Sequence, residues 1–204
     1  MSETTQEQAP EVQQTDVKLD SKPEVSGEGD SSGKNSNPMQ EIRIEKITLN
    51  IGAGKDQKVL EKGLVLIKHI TKTDGIQTVS NKRIPAWGVR PGLPVGAKLT
   101  IRGVKIKALL SRLLRANGNI LKMKQFSEDG NFSFGIKEYI DIPDVEYEPT
   151  IGVMGLEVSV TLERPGFRIK KRRIRKSSLP SRHRIGKDEA IAYIKKNYGV
   201  EITE

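Results

Sequence analysis

Ala97-Lys98-Leu99-Thr100-Ile101-Arg102-Gly103 alternates apolar and polar side chains without a break, and Ile106, Leu109, Leu110, Leu113 and Leu114 follow at helical spacing. A period of two puts Leu99 and Ile101 on one face and Lys98, Thr100 and Arg102 on the other, the pattern of a strand buried on one side only. The leucines predict an amphipathic helix that stops at Asn117-Gly118. The pair therefore predicts a sheet covered by helices on one face and bare on the other.

Elsewhere the pattern repeats. Residues 41–51 read as a strand, with Ile47, Leu49 and Ile51 opposed to Lys46, Thr48 and Asn50. The alternation slips between Ile44 and Ile47, which predicts a bulge or a late start. Gly52-Ala53-Gly54 ends this strand, and residues 55–72 have helical spacing despite Gly63. A short strand is expected over 76–81, after the Asp74-Gly75 turn. Ile84 to Gly96 holds three Pro, three Gly and the only Trp, and is expected to be a long loop. Phe132, Phe134 and Ile136 mark another strand, and Leu156, Val158, Val160 and Leu162 a further one. Asp141 to Pro149 is a surface connection, and Asp188 to Asn197 a helix ended by Gly199. The whole is expected to be α+β, with a largely antiparallel sheet. Its open face should carry Thr48, Asn50, Lys98, Thr100, Arg102, Ser133, Gly135, Lys137, Ser159 and Thr161.

Charge is distributed unevenly along the 204 residues. Formal net charge is +9, yet residues 1–37 hold eight acids and three bases, which leaves 32 bases and 18 acids, or +14, on the other 167. Residues 1–37 contain no aromatic and no Ile, so they are expected to be disordered: either a plain solvated tail or an electrostatic decoy for the basic surface. Residues 38–204 are expected to form one domain. Between Arg164 and Lys187 stand 11 bases and no acid in 24 residues. Such a block repels itself in isolation, and polyphosphate relieves the repulsion with release of counterions. Ser177-Ser178-Leu179-Pro180-Ser181 interrupts any amphipathic helix suited to a membrane, so nucleic acid is the expected partner.

Several chemistries lack support. There is no Cys, and His69 and His183 are far apart in sequence. Gly52-Ala53-Gly54-Lys55 is no phosphate loop, because Leu49 and Asp56 occupy positions that need Gly and Ser or Thr. Gln57 stands where a dinucleotide fingerprint needs its third Gly. Asp141, Asp144, Glu146 and Glu148 lack the spacing and turn Gly of a calcium loop. No cofactor, metal or catalytic residue is expected. No apolar run reaches the roughly 18 residues of a membrane span, and a soluble, intracellular protein is expected.

Five blocks together resemble one family: Ile47-Thr48-Leu49-Asn50-Ile51-Gly52, residues 90–103, residues 129–138, Ile142-Pro143-Asp144-Val145-Glu146-Tyr147 and residues 155–161. In this order they are similar to large ribosomal subunit protein five, the 5S rRNA-binding family, over about residues 39–201. The Arg-rich segment ending in Ser181-Arg182-His183-Arg184-Ile185 resembles the archaeal and eukaryotic form. The resemblance implies a cytoplasmic, non-catalytic component of the ribosome's central protuberance. It would bind 5S rRNA and 23S rRNA, touch P-site tRNA and adjoin neighbouring ribosomal proteins.

Site residues follow from both sources. For rRNA they are Thr48, Asn50, Lys98, Thr100, Arg102, Ser133 and Lys137 on the sheet, with Arg168, Lys170, Lys171, Arg172, Arg173, Arg175, Lys176, Arg182 and Arg184 in the basic segment. The tRNA-contacting loop of the family maps onto Ile84 to Gly92, with Pro85, Ala86, Trp87, Gly88, Val89 and Arg90 as its contact residues. Trp87 either stacks on an exposed base or plugs the loop onto its own domain. Two other classes compete: an architectural DNA-binding protein would share the basic segment but has no use for a Pro/Gly-rich aromatic loop, and an RNA-modifying enzyme would need convergent carboxylates in a pocket.

Overall fold

The computed structural model describes residues 37–203. The acidic stretch expected to be disordered, and the decoy role considered for it, lie outside these residues except for Asn37. In chain order the elements are β1 (Arg43–Gly52), α1 (Gln57–Thr71), β2 (Ile76–Val79), β3 (Pro94–Ile101), α2 (Lys105–Ala116), β4 (Ile120–Lys122), β5 (Phe132–Ile136), β6 (Leu156–Glu163), α3 (Arg168–Lys171), α4 (Lys187–Tyr198) and β7 (Glu201–Thr203). Five strands form one sheet in the order β2-β3-β1-β6-β5, and every neighbouring pair is antiparallel. The α+β class read from the alternation is the fold observed.

Helices α1 and α2 lie on the apolar side of the sheet. Leu60, Leu66, Ile67 and Ile70 of α1 and Ile106, Leu109, Leu110, Leu113 and Leu114 of α2 are buried in one cluster with Ile47, Leu49, Ile51, Ala97 and Leu99 of the sheet. Gly63 costs helix propensity but serves the packing. A Cβ there would sit 3.2 Å from Ile51 Cγ2 and 3.8 Å from the Ala97 methyl, so its absence lets α1 settle close to the strands. The slip in alternation near Ile44 is a register shift of β1 against β6 between Ile44 and Lys46.

Three parts differ from expectation. First, β3 begins at Pro94 rather than Ala97. Proline is tolerated at the first position of a strand, where its missing N–H costs no ladder bond. Second, the segment expected as a free loop is held by backbone rungs. Ser80 N–H donates to Leu93 O (2.9 Å), Gly92 N–H to Ser80 O (2.8 Å), and Ile84 and Val89 exchange bonds of 2.9 and 3.1 Å. It is an irregular extension of the β2–β3 hairpin, and the two Pro residues at 85 and 91 sit where no rung is required. Third, β4 and β7 pair in parallel and bring the chain's last described residues beside the end of α2. Three-residue strands carry too little periodicity to be seen in a sequence.

Several family-like blocks prove to be architectural. Asn131 accepts the Leu162 N–H on its side-chain oxygen (3.2 Å), and Arg112 of α2 donates to Pro143 O (2.9 Å) and faces the Asp144 carboxylate (3.4 Å). Buried Tyr139 accepts the Glu148 N–H on its hydroxyl (2.9 Å), which pins the acidic connection. Gly130 has φ of +75°, and a Cβ on it would lie 2.6 Å from Ile185 Cγ2. Gly130→Ala is therefore expected to cost more than about 1 kcal/mol through backbone strain alone. It should also unseat Ile185. Limited proteolysis should then cut within 164–187 sooner than in the parent protein, and unchanged cutting would refute this account.

Candidate nucleic-acid interface

Strand register converts alternation into a surface pattern. Ser133 pairs with Ser159, Ser159 with Thr48 and Thr48 with Thr100, which draws a row of short hydroxyls across four strands. Adjacent members stand about 4.8 Å apart, the spacing between strands. The next row holds Gly135, Glu157, Asn50, Lys98 and Ile76. On the other side Thr161 pairs with Lys46. Core residues fill the intervening rows, as in Phe134, Val158, Leu49 and Leu99.

None of the ten residues expected on the open face is buried. Lys98, Arg102, Gly135 and Lys137 are exposed, and Thr48, Asn50, Thr100, Ser133, Ser159 and Thr161 are half-buried by their neighbours. Arg102 and Lys137 lie one residue past the ends of β3 and β5. Side chains of this face left out of the sequence-derived set include Lys46, Glu157 and the exposed Ile76 of β2. Lys46 belongs to it by register, and its alternation with Thr48 and Asn50 could have placed it there. Glu157 belongs to it by the same rule, though an acid fits poorly in a set chosen for phosphate.

The basic segment is a folded arm rather than a self-repelling strand. Arg164, only 7% exposed at the end of β6, donates to the carbonyl of Arg184 (3.1 Å) and pairs with Glu189 of α4 (3.0 Å). His183 Nε2 donates to Pro165 O at 2.8 Å, and its ring meets Phe167 edge-on with centroids 5.6 Å apart. Leu179 and Ile185 are buried beneath the arm. These contacts join the two roots of the segment and offset the repulsion among its cations. The arm and one end of β1 and β6 enclose a half-open cavity of about 720 Å³, lined among others by Glu45, Thr161, Phe167, Lys170, Lys176 and Leu179.

The arm's cations divide into two sets. Lys171 is bound to Glu45 and Glu163, and Glu163 also holds Arg43 at 2.8 Å, so Lys171 anchors the arm. Arg168, Lys170, Arg172, Arg173, Arg175, Lys176, Arg182 and Arg184 have no acidic side chain within ion-pair distance among the described residues, and all are exposed. Arg172 donates to Arg175 O (2.7 Å), which tightens the tip.

At the far end of the β2–β3 hairpin, Pro85–Trp87 form a 3-10 turn closed by Gly88 at φ +65°. Trp87 is 70% exposed, whereas Val89 is 5% exposed. Val89 is thus the buried residue of the turn. Its side chain is withdrawn from the surface, and Trp87, turned outward, is not the plug. Pro85, Ala86, Gly88 and Arg90 are exposed around Trp87, and Lys55 lies alongside Gly88.

A helix-backed sheet with a hydroxyl-lined face, a cationic arm at one end and an exposed Trp at the tip of a hairpin define a class, basic α+β proteins with a surface suited to a polyanion. Sequence comparison makes the class specific. Residues 37–90 match the family model described as Ribosomal protein L5, and residues 94–193 match the model of the C-terminus of the same ribosomal family. Over 169 residues the chain is 43% identical to Large ribosomal subunit protein uL5 of Sulfurisphaera tokodaii, covering 82% of this chain and 96% of that one. Identity is 46% with the uL5 of Nanoarchaeum equitans (81% and 98% covered) and 44% with that of Nitrosopumilus maritimus (81% and 95%). The chain belongs to the ribosomal protein L5 family, a structural and non-enzymatic one.

Proposed function

We propose that this chain is a structural constituent of the large ribosomal subunit in the cytoplasm, where it holds 5S rRNA and adjoining 23S rRNA in the central protuberance. Residues 38–204 act as one RNA-binding unit beside neighbouring ribosomal proteins, and the hairpin tip touches P-site tRNA. The observation that carries this reading is the row Ser133–Ser159–Thr48–Thr100, flanked by Lys46, Lys98 and Arg102. Short hydroxyls allow close approach of a sugar-phosphate backbone and can donate to phosphate or exchange hydrogen bonds with ribose 2′-hydroxyls. Neighbouring cations supply the long-range attraction. The arm extends the same surface with eight further cations unpaired among the described residues.

Binding to 5S rRNA and to duplex DNA of equal length, titrated across salt, tests the reading. A preference for 5S rRNA that persists as salt rises is expected, since shape and hydroxyl contacts are not screened. Equal affinities with equal slopes would defeat it. The tip makes a separate prediction. Trp87 is exposed, so Trp87→Ala should leave thermal stability unchanged; loss of one base-stacking contact, about 1–3 kcal/mol, should weaken tRNA contact on assembled subunits. Binding to 5S rRNA should not move. A variant that reduces both equally would place Trp87 in the wrong interface.

A further inference from the structure

Phosphate recognition explains the cations of the open face and leaves an acid unexplained. Glu157 is exposed in the middle of the sheet, between Asn50 of β1 and Gly135 of β5. Glu45 and Glu163, the other acids near this face, are neutralised by Lys171 and Arg43. Glu157 has no cationic partner among the described residues and takes only a hydrogen bond from Asn50, Nδ2 to Oε2 at 3.4 Å. A bare carboxylate repels phosphate, so a surface built only for the backbone of RNA would carry a neutral or basic residue there.

A carboxylate is an acceptor on both oxygens, and what it binds in RNA must donate. The guanine Watson–Crick edge presents two adjacent donors, N1–H and N2–H. Adenine and cytosine set an acceptor nitrogen beside their single amino group, and uracil flanks its one N–H with two carbonyls; each would turn a lone pair toward the second carboxylate oxygen. Guanine's remaining edge atom is the O6 acceptor, and Lys98, the cross-strand neighbour of Asn50, offers a cation on that side. Gly135 leaves space for a planar base: nothing lies within 4 Å of where its Cβ would be.

We propose that Glu157 is a specificity-determining residue that receives the Watson–Crick edge of an unpaired guanine of the bound RNA, with Asn50 orienting the carboxylate. The proposal rests on the RNA-binding reading above and names what the centre of that surface reads.

The test uses the full chain carrying Glu157→Gln, with 5S rRNA and an unrelated RNA of equal length. Removing a negative charge from a cationic face should, on electrostatics alone, tighten binding to both. Loss of a bidentate base contact instead weakens 5S rRNA binding about 10- to 100-fold while the unrelated RNA binds as well or better. Inosine-for-guanosine substitution along 5S rRNA gives an independent readout, because inosine lacks the N2 amino group. One position is expected at which inosine weakens binding to the parent protein and has no effect with E157Q. Unchanged or tighter 5S rRNA binding by E157Q overturns the proposal alone, as does relief at a 2′-deoxy position with no inosine-sensitive one. A parent protein with no preference for 5S rRNA overturns the ribosomal reading and this proposal with it.

Discussion

Replacing Arg172, Arg173, Arg175 and Lys176 together by Gln is expected to lower affinity for 5S rRNA on the order of 10²–10³-fold at 0.15 M salt. All four are exposed, and none has an acidic partner among the described residues, so the folded arm loses no ion pair when they go. Each cation that neutralises a phosphate contributes about 0.7–0.9 to the slope of log K against log salt. Four such contacts give a slope change of about 3, and extrapolation from 0.15 M to 1 M yields the stated factor, with parent and variant converging at high salt. Filter binding across salt measures both quantities. A slope that falls by less than 1 would mean that the arm tip does not meet RNA. Lys171→Gln is the control: it releases Glu45 and Glu163 and loosens the arm, so its effect on the slope should be smaller than that of any tip residue.

Phe134→Ala is expected to destabilise the domain by about 3–5 kcal/mol, a large part of the roughly 5–15 kcal/mol that a domain of this kind has. Phe134 is almost fully buried on β5, next to Phe132 with ring centroids 6.4 Å apart, and Phe132 in turn stacks on Phe126 at 5.2 Å. Phe132 and Phe134 are the inner side of the edge strand whose outer side carries Ser133 and Gly135. Truncation leaves a cavity that an edge strand can partly close, which argues for the lower end of the range. Urea unfolding should show a lower midpoint at unchanged slope. A loss below about 1 kcal/mol would mean that β5 is held by its ladder with β6 rather than by its aromatic face.

Most of the sheet was legible because strand alternation is a local property. Phe132 to Ile136 and Leu156 to Glu163 each state which side chains share a face, and no distant residue can change that without moving the whole strand. Helix α2 was legible for the same reason, through five apolar residues at helical spacing. The hairpin was harder to read. Three Pro and three Gly suggest loss of order, yet rungs at Ser80–Leu93 and Ile84–Val89 hold the segment, since each Pro falls where no donor is needed. The choice between Val89 and Trp87 as the buried residue could not be made from their order in the chain.

The amino-acid sequence by itself determined which residues lie on the open face, where the cations concentrate, and which family the chain resembles, because period, charge and motif are all written in neighbouring residues. Tertiary structure alone decided that Ser133, Ser159, Thr48 and Thr100 stand in one row, that Arg164 binds Arg184 and Glu189 and so folds the arm, and that Glu157 lies unpaired beside Asn50. The shortest of these links, Arg164 to Arg184, already spans 20 positions, more than any local window of sequence holds. Register and long-range ion pairs depend on how whole elements dock to bury their apolar faces, and that is a property of the folded chain.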